Sequence, residues 1–374
     1  MSIDELRRFA VTRSLFPPTS LAKALEAFGF VQADPIRSPA RAQDLTLRHR
    51  VTNYRAGDLE RRYSRLQVHE DFFINYGFVT DRVFHLMHPR RRSQPPWSVA
   101  RGRHVKGVLE FIRARGLVHP RQVDDHFSLG TVTNYWGGSS SATTHLLDAM
   151  HYRGLLRVVR REAGIRIYGV HEDGPGALNA RERRVRLDAL VDVVVNVYAP
   201  LPAVSLSAVV RRLRYAVPQW SSALTDALQR ARHRLAHARV DGVDWYWPSG
   251  EEPGVAEPDD TVRLLAPFDP VVWDRRRFEL LWNWAYRFEA YTPVPKRRWG
   301  YYALPLLWRD RVIGWANASV AGGALTLDVG YVAGRPPRDR RFRRALADER
   351  ARLSAFLGLL KGEPSPAPRR DRPF

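Results

Sequence analysis

The sequence predicts an α+β protein built from three tandem winged-helix units, a β-rich C-terminal module and a closing helix. Three observations carry that expectation. Apolar residues recur at helical spacing and then give way to paired β-type runs, three times before residue 250. One such pair is joined by Asp241-Gly242, a dipeptide that readily takes the positive φ values of a two-residue hairpin. Beyond residue 261 the helical period fades, and short β-type runs bounded by Pro, Arg-Asp and Gly-Gly take over.

The first unit, residues 1–103, opens with helical patterns over 4–15, over 21–28 after a Pro-Pro-Thr-Ser start signal, and around 40–47. The aromatic segment 68–79 reads as irregular, and Pro95-Pro96 with the basic stretch to Lys106 reads as a linker. In the second unit, 104–180, a helix over 105–113 puts Val105, Val108, Leu109 and Ile112 on one face and stops at Gly116. A short helix over 119–127 follows. The Gly-Gly-Ser-Ser loop at 137–140 then offers a flexible entry and a serine N-cap for a third helix. That helix carries Leu146, Leu147 and Met150 on one side, with Thr143, Thr144, His145 and His151 elsewhere. Runs 155–160 and 165–170 make its wing.

The third unit, 181–250, repeats the scheme with helices over 185–195, 206–213 and 221–235 and a hairpin over 237–247. In the module 251–361 the β-type runs are 262–266, 286–291, 299–307, 312–320 and 324–332, with a helix over 274–282. A basic helix over 339–359 closes the fold, and the Pro/Arg-rich tail 362–374 is expected to be disordered.

Charge narrows the function. The 374 residues carry 60 Lys+Arg against 39 Asp+Glu, a formal net charge of +21 that attracts polyanions, above all nucleic acid. Only four cations are lysines, a ratio that a GC-rich genome would itself produce, but codon usage does not explain the net excess. The absence of cysteine excludes disulfides and thiolate zinc sites. No segment has the apolar length of a membrane span or a signal core, so a cytoplasmic, nucleoid-associated monomer is expected. The glycine-rich loop near residue 137 lacks the Gly-Lys-Ser/Thr of a phosphate-binding loop.

Winged helices alone suggest a non-enzymatic DNA binder such as a regulator, and a metal nuclease is a third class. Two segments point toward chemistry. In Val31-Gln32-Ala33-Asp34 the carboxamide and the carboxylate are two residues apart, so an extended backbone faces both the same way. Such a pair can hold one water and stabilise a cationic sugar, although the everyday work of an Asp in this context is turn formation. In the second segment, Lys296, Arg297 and Arg298 are followed by Trp299, Tyr301 and Tyr302, combining phosphate-binding cations with flat stacking surfaces. Thr143 and Thr144, on the recognition-like helix of the second unit, are further candidate DNA contacts. The groups at 69–71 and 124–126 contain metal-capable side chains without zinc-site spacing and read as ordinary polar or capping positions.

Over roughly residues 5–360 these features together resemble the crosslink-repair DNA glycosylase family. The resemblance is strongest in 269–277, in 295–302, and in the Gln-x-Asp motif followed by Ala40-Arg41-Ala42. It implies three winged helices and a β-rich part curved around duplex DNA, with Arg41 among the DNA contacts. It also implies a monofunctional glycosylase that acts on N7-alkylated, including crosslinked, guanine without a cofactor, with Gln32 and Asp34 as its catalytic pair. Two departures stand out: Ala33 replaces a larger aliphatic residue, and 69–78 differs from a Trp/His-rich counterpart.

Overall fold

The computed structural model describes residues 1–90, 98–133, 138–172, 178–254 and 258–359. After the capped helix Ile3–Ser14, the same order of elements occurs three times: a helix, a short strand, two helices and a hairpin. The first occurrence comprises Leu21–Phe28, Phe30–Gln32, Ala42–Leu47, Asp58–Arg62 and the strands Val68–Phe72 and Tyr76–Thr80. The second comprises Val99–Arg115, Leu117–Val118, Pro120–Phe127, Ala142–Tyr152, Leu156–Glu162 and Ile165–Val170. The third comprises Ala180–Tyr198, Leu201–Pro202, Ala203–Arg212, Leu224–Arg234, Ala236–Val240 and Val243–Trp247. Each time the last strand sits between its hairpin partner and the short strand, giving a three-stranded antiparallel sheet. Strands of two or three residues are too short to show a period of two, so sequence patterning passes over them.

The C-terminal module is a four-stranded antiparallel sheet in the order Val262–Leu264, Leu304–Trp308, Arg311–Ala321, Ala324–Tyr331. Helix Arg275–Trp282, capped by Asp274, lies between its first two strands in sequence, and helix Arg340–Phe356 closes the fold. Among the described residues no helix is long and apolar enough to cross a membrane. The apolar cores ignore the repeat boundaries: one joins Leu25, Leu147 and Leu306, and another joins Phe9, Val83 and Val194.

Several expected elements are corrected. Residues 68–79 form a regular hairpin rather than an irregular segment. Its alternation is masked because Glu70 and Asp71 are buried and ion-paired instead of facing water. The expected linker is helical from Val99, whose N-cap Ser98 accepts the backbone N–H of Arg101. Residues 286–291 are no strand: Glu289 folds back onto the following turn, and Pro293 and Pro295 end any ladder. Ser141, not an earlier serine, caps Ala142–Tyr152, and Ser139–Ser141 pairs with Thr131–Thr133. Pro95-Pro96, Gly137 and the tail 362–374 lie outside the described residues.

Three fully buried arginines tie these parts together. Arg50 meets Asp269 through two hydrogen bonds of 2.7 and 2.9 Å and also donates to the carbonyls of Ser14 and Thr46. Arg90 donates to Asp71 and to the carbonyls of Phe72 and Ala216. Arg277 is satisfied by carbonyls, including those of Pro200 and Pro270. Burial pushes the Arg277 guanidinium down to about 10.

Candidate active site

The Gln-x-Asp motif begins on the strand Phe30–Gln32, where Gln32 faces Gly77 of the adjacent strand. Glycine is required there: a Cβ at position 77 would sit 2.3 Å from the Val31 carbonyl oxygen and 2.6 Å from the Phe30 ring. The chain leaves the strand at Gln32 and turns, with the Ile36 N–H donating to Asp34 Oδ1 at 2.9 Å. Asp34 thus performs the ordinary turn-forming work of an aspartate. It also lines, together with Gln32, an open cavity of roughly 540 Å³. The remaining wall comes from Asn75, from Val204 to Arg212 on the third repeat, and from Phe268, Trp273 and Arg275 of the C-terminal module.

The two catalytic candidates have different surroundings. Partial burial raises the Asp34 carboxyl above its ordinary range, and the Ile36 N–H opposes that shift only in part. Among the described residues no Lys, Arg or His forms an ion pair with Asp34. The Gln32 carboxamide is held firmly: its Oε1 accepts the Trp273 indole N–H at 2.7 Å and Asn75 Nδ2 at 2.9 Å. Trp273 itself is fixed from below. Its backbone N–H donates to the Asp269 carbonyl at 2.8 Å, and the Asp269 carboxylate is gripped by Arg50. Its ring packs against Tyr198 with centroids 4.8 Å apart.

The basic turn lies beside this cavity. Lys296 and Arg298 are exposed, while Arg297 is half-buried and donates to the Thr292 carbonyl. Buried Glu289 accepts the backbone N–H groups of Arg298, Trp299 and Gly300 through one oxygen, which fixes the shape of the turn. Tyr291 and Val294 are 68% and 70% exposed. Phe268 of the cavity wall meets Phe288 at 5.1 Å, and Phe288 meets Tyr291 at 6.1 Å. An aromatic path therefore runs from the cavity to the exposed turn.

Two of the expected DNA contacts are engaged within the protein. The Thr143 hydroxyl is buried and donates to Asp124 Oδ1 at 2.5 Å. The Arg41 guanidinium turns inward to Glu60 and is largely buried. Thr144 is exposed at the start of its helix, with its backbone N–H on the Ser141 hydroxyl. The groups at 69–71 are held in ion pairs and hydrogen bonds: His69 with Asp81, Glu70 with Arg161, Asp71 with His88 and Arg90. Among the described residues no cluster of His, Asp or Glu has the arrangement of a metal site.

The sequence reading missed Asn75, Arg212 and Trp273 as site residues. Trp273 lies inside the 269–277 segment and Asn75 inside the 69–78 segment, both already singled out. Nothing in the sequence marks Arg212.

The profile of the family described as "DNA glycosylase AlkZ-like" matches residues 25–356, a span that holds the Gln-x-Asp motif, the basic turn and the whole closing helix. Among solved structures, Streptomyces sahachiroi DNA glycosylase AlkZ is similar in fold, with a TM-score of 0.61 and 14% sequence identity. That similarity covers 96% of this chain and 97% of the other. With a family match over most of its length, the chain belongs to the AlkZ-like DNA glycosylase family.

Proposed function

We propose that this DNA glycosylase is monofunctional, hydrolyses the N-glycosidic bond of N7-alkylated guanine in duplex DNA, crosslinked guanine included, and uses Gln32 and Asp34 as its catalytic pair. The observation that carries the reading is the cavity itself. A carboxylate that has no cationic partner among the described residues and an anchored carboxamide share one open recess on a strongly basic protein.

The chemistry follows from that pair. Alkylation at N7 places a positive charge on guanine, so the C1′–N9 bond can break with its electron pair leaving on a neutral base. The deoxyribose is left as an oxocarbenium ion. The Asp34 carboxylate stabilises that cation electrostatically, which is worth most in a site from which water is partly excluded. A water then bonds to C1′ and gives a proton to Asp34, producing an abasic sugar and the free base. No cofactor takes part in these steps. An open cavity rather than a closed pocket suits a bulky or crosslinked adduct, which would not fit a snug base-flipping pocket.

The three repeats are read as winged helices, divided at residues 1–103, 104–180 and 181–250, in a monomer that curves around the duplex. The module 251–361 adds the basic turn, where Lys296, Arg297 and Arg298 contact phosphates and the exposed Tyr291 stacks on an adjacent base. Asp34→Asn tests the central claim. The amide still accepts the Ile36 N–H but carries no charge. Single-turnover release of N7-methylguanine is expected to fall ~10²–10³-fold, the usual worth of one preorganised electrostatic group, with DNA affinity and melting temperature nearly unchanged. An Asp34→Asn enzyme that melts early yet releases base at the normal rate would show that Asp34 only forms the turn.

A further inference from the structure

We infer that Trp273 is a positioning residue whose indole N–H, seconded by Asn75 and Arg212, locks the Gln32 carboxamide with its NH₂ group turned toward the reaction, making Gln32 a hydrogen-bond donor. The inference deepens the reading of Gln32 as a catalytic residue and rests on it.

The two ends of a carboxamide are alike in shape, so its orientation is decided by its neighbours. An indole Nε1 can only donate. The Gln32 atom 2.7 Å from it is therefore the carbonyl oxygen, whatever the rest of the site contains. The same logic reaches Gln32 from the other side. Arg212 can only donate, and its Nη1 lies 3.3 Å from Asn75 Oδ1, which leaves the Asn75 NH₂ group to point at Gln32. Two donors then fill both lone pairs of Gln32 Oε1. Turning the amide over would set its N–H groups against an indole N–H and another NH₂, losing two hydrogen bonds and opposing donor to donor at each.

The chemical consequence concerns the attacking water. With its oxygen accepting an N–H of Gln32 and a proton directed at Asp34, the water keeps a lone pair for C1′. A glutamine turned the other way would compete with Asp34 for the same protons and leave the lone pairs unaimed. The anchor is fit for this work because Trp273 is itself immobilised by Tyr198, by the Asp269 carbonyl and by the guanidinium of Arg212, 5.4 Å from its ring.

A double-mutant cycle tests the inference. Trp273→Phe removes the indole N–H while keeping an aromatic ring at this position. Base release from N7-methylguanine duplex under single-turnover conditions is expected to fall ~10-fold, the effect of about 1.4 kcal/mol, without change in DNA affinity or melting temperature. In a Gln32→Ala background the same substitution should have no further effect. Gln32→Glu, which can still accept from Trp273 and Asn75 but offers no donor, should be as impaired as Gln32→Ala. Equal losses from Trp273→Phe in both backgrounds, or a Gln32→Glu enzyme of normal rate, would overturn the inference. A second readout is independent of activity. The indole ¹H–¹⁵N resonance of Trp273, identified by its loss in Trp273→Phe, should exchange slowly with solvent and lose that protection in Gln32→Ala. Unchanged protection would show that the indole does not serve Gln32. If the unmodified protein releases no base, the proposed reaction fails while this spectrum still decides the geometry.

Discussion

Asp269→Asn is expected to be among the most damaging single-atom changes the chain can suffer. Asp269 and Arg50 are both fully buried and joined by two hydrogen bonds, and Asp269 Oδ1 also accepts the Val271 N–H at 3.0 Å. The amide removes the negative charge and turns an N–H group toward the guanidinium, leaving a buried cation whose remaining partners are the carbonyls of Ser14 and Thr46. Removing one member of a buried pair typically costs about 3–5 kcal/mol, because the surviving charge stays desolvated. In equilibrium terms that is roughly a 10²- to 10⁴-fold shift toward the unfolded state. Urea-induced unfolding measures it directly. The double variant Arg50→Met with Asp269→Leu should recover much of the loss, since it buries no uncompensated charge. The folded fraction of Asp269→Asn should also release base more slowly, because the loop that presents Trp273 begins at this residue. A destabilisation below about 1 kcal/mol, or a double variant no better than the single one, would refute the argument.

Two further outcomes follow from surfaces and titration. Replacing Lys296, Arg297 and Arg298 with alanine together should weaken duplex binding and reduce the slope of log affinity against log salt by about 2–3, close to one per phosphate contact; an unchanged slope in filter binding would remove the turn from the DNA-contacting surface. Burial, opposed by Asp71 and reinforced by Arg90 and His171, pushes the His88 imidazole down to about 4. Its folded value thus lies below its unfolded one, so its share of stability is complete above pH 6.5 and lost as pH falls from there to 4. That share amounts to up to about 3 kcal/mol. His88→Gln should flatten the decline of the urea midpoint across that window. It should not abolish it, since burial also lowers His49, His69 and His151; an identical decline in the variant would refute the assignment.

The sequence revealed elements whose periodicity is carried by water-facing polar residues, and it misled where polar residues are buried. Leu21–Phe28 was legible to the residue because its apolar positions and its Ser20 and Gly29 ends agree. The hairpin Val68–Thr80 was not, because Glu70 and Asp71 occupy core positions with arginine partners from distant segments. Thr143 misled in the same way: an exposed-looking hydroxyl is sealed by Asp124, a relation visible only once Pro120–Phe127 packs against Ala142–Tyr152. The Gln32–Asp34 pair was legible as a motif, but its setting was not. Asn75, Arg212 and Trp273 reach it from 43, 180 and 241 positions along the chain, and no local pattern encodes such meetings.

The buried arginines change how the composition should be understood. Arg50, Arg90 and Arg277 use guanidinium nitrogens pointing in several fixed directions at once, each bridging segments that are remote in sequence. A lysine at any of these places would bring one ammonium on a flexible stem and leave several carbonyls unanswered. Part of the arginine bias is therefore architectural rather than a by-product of codon usage, and the formal charge counts cations that never meet solvent or DNA. Recoding this protein with lysine for arginine would be tolerated over most of its surface, yet at these three junctions it would unfasten the joints between parts of the molecule that have to arrive together for the cavity to exist.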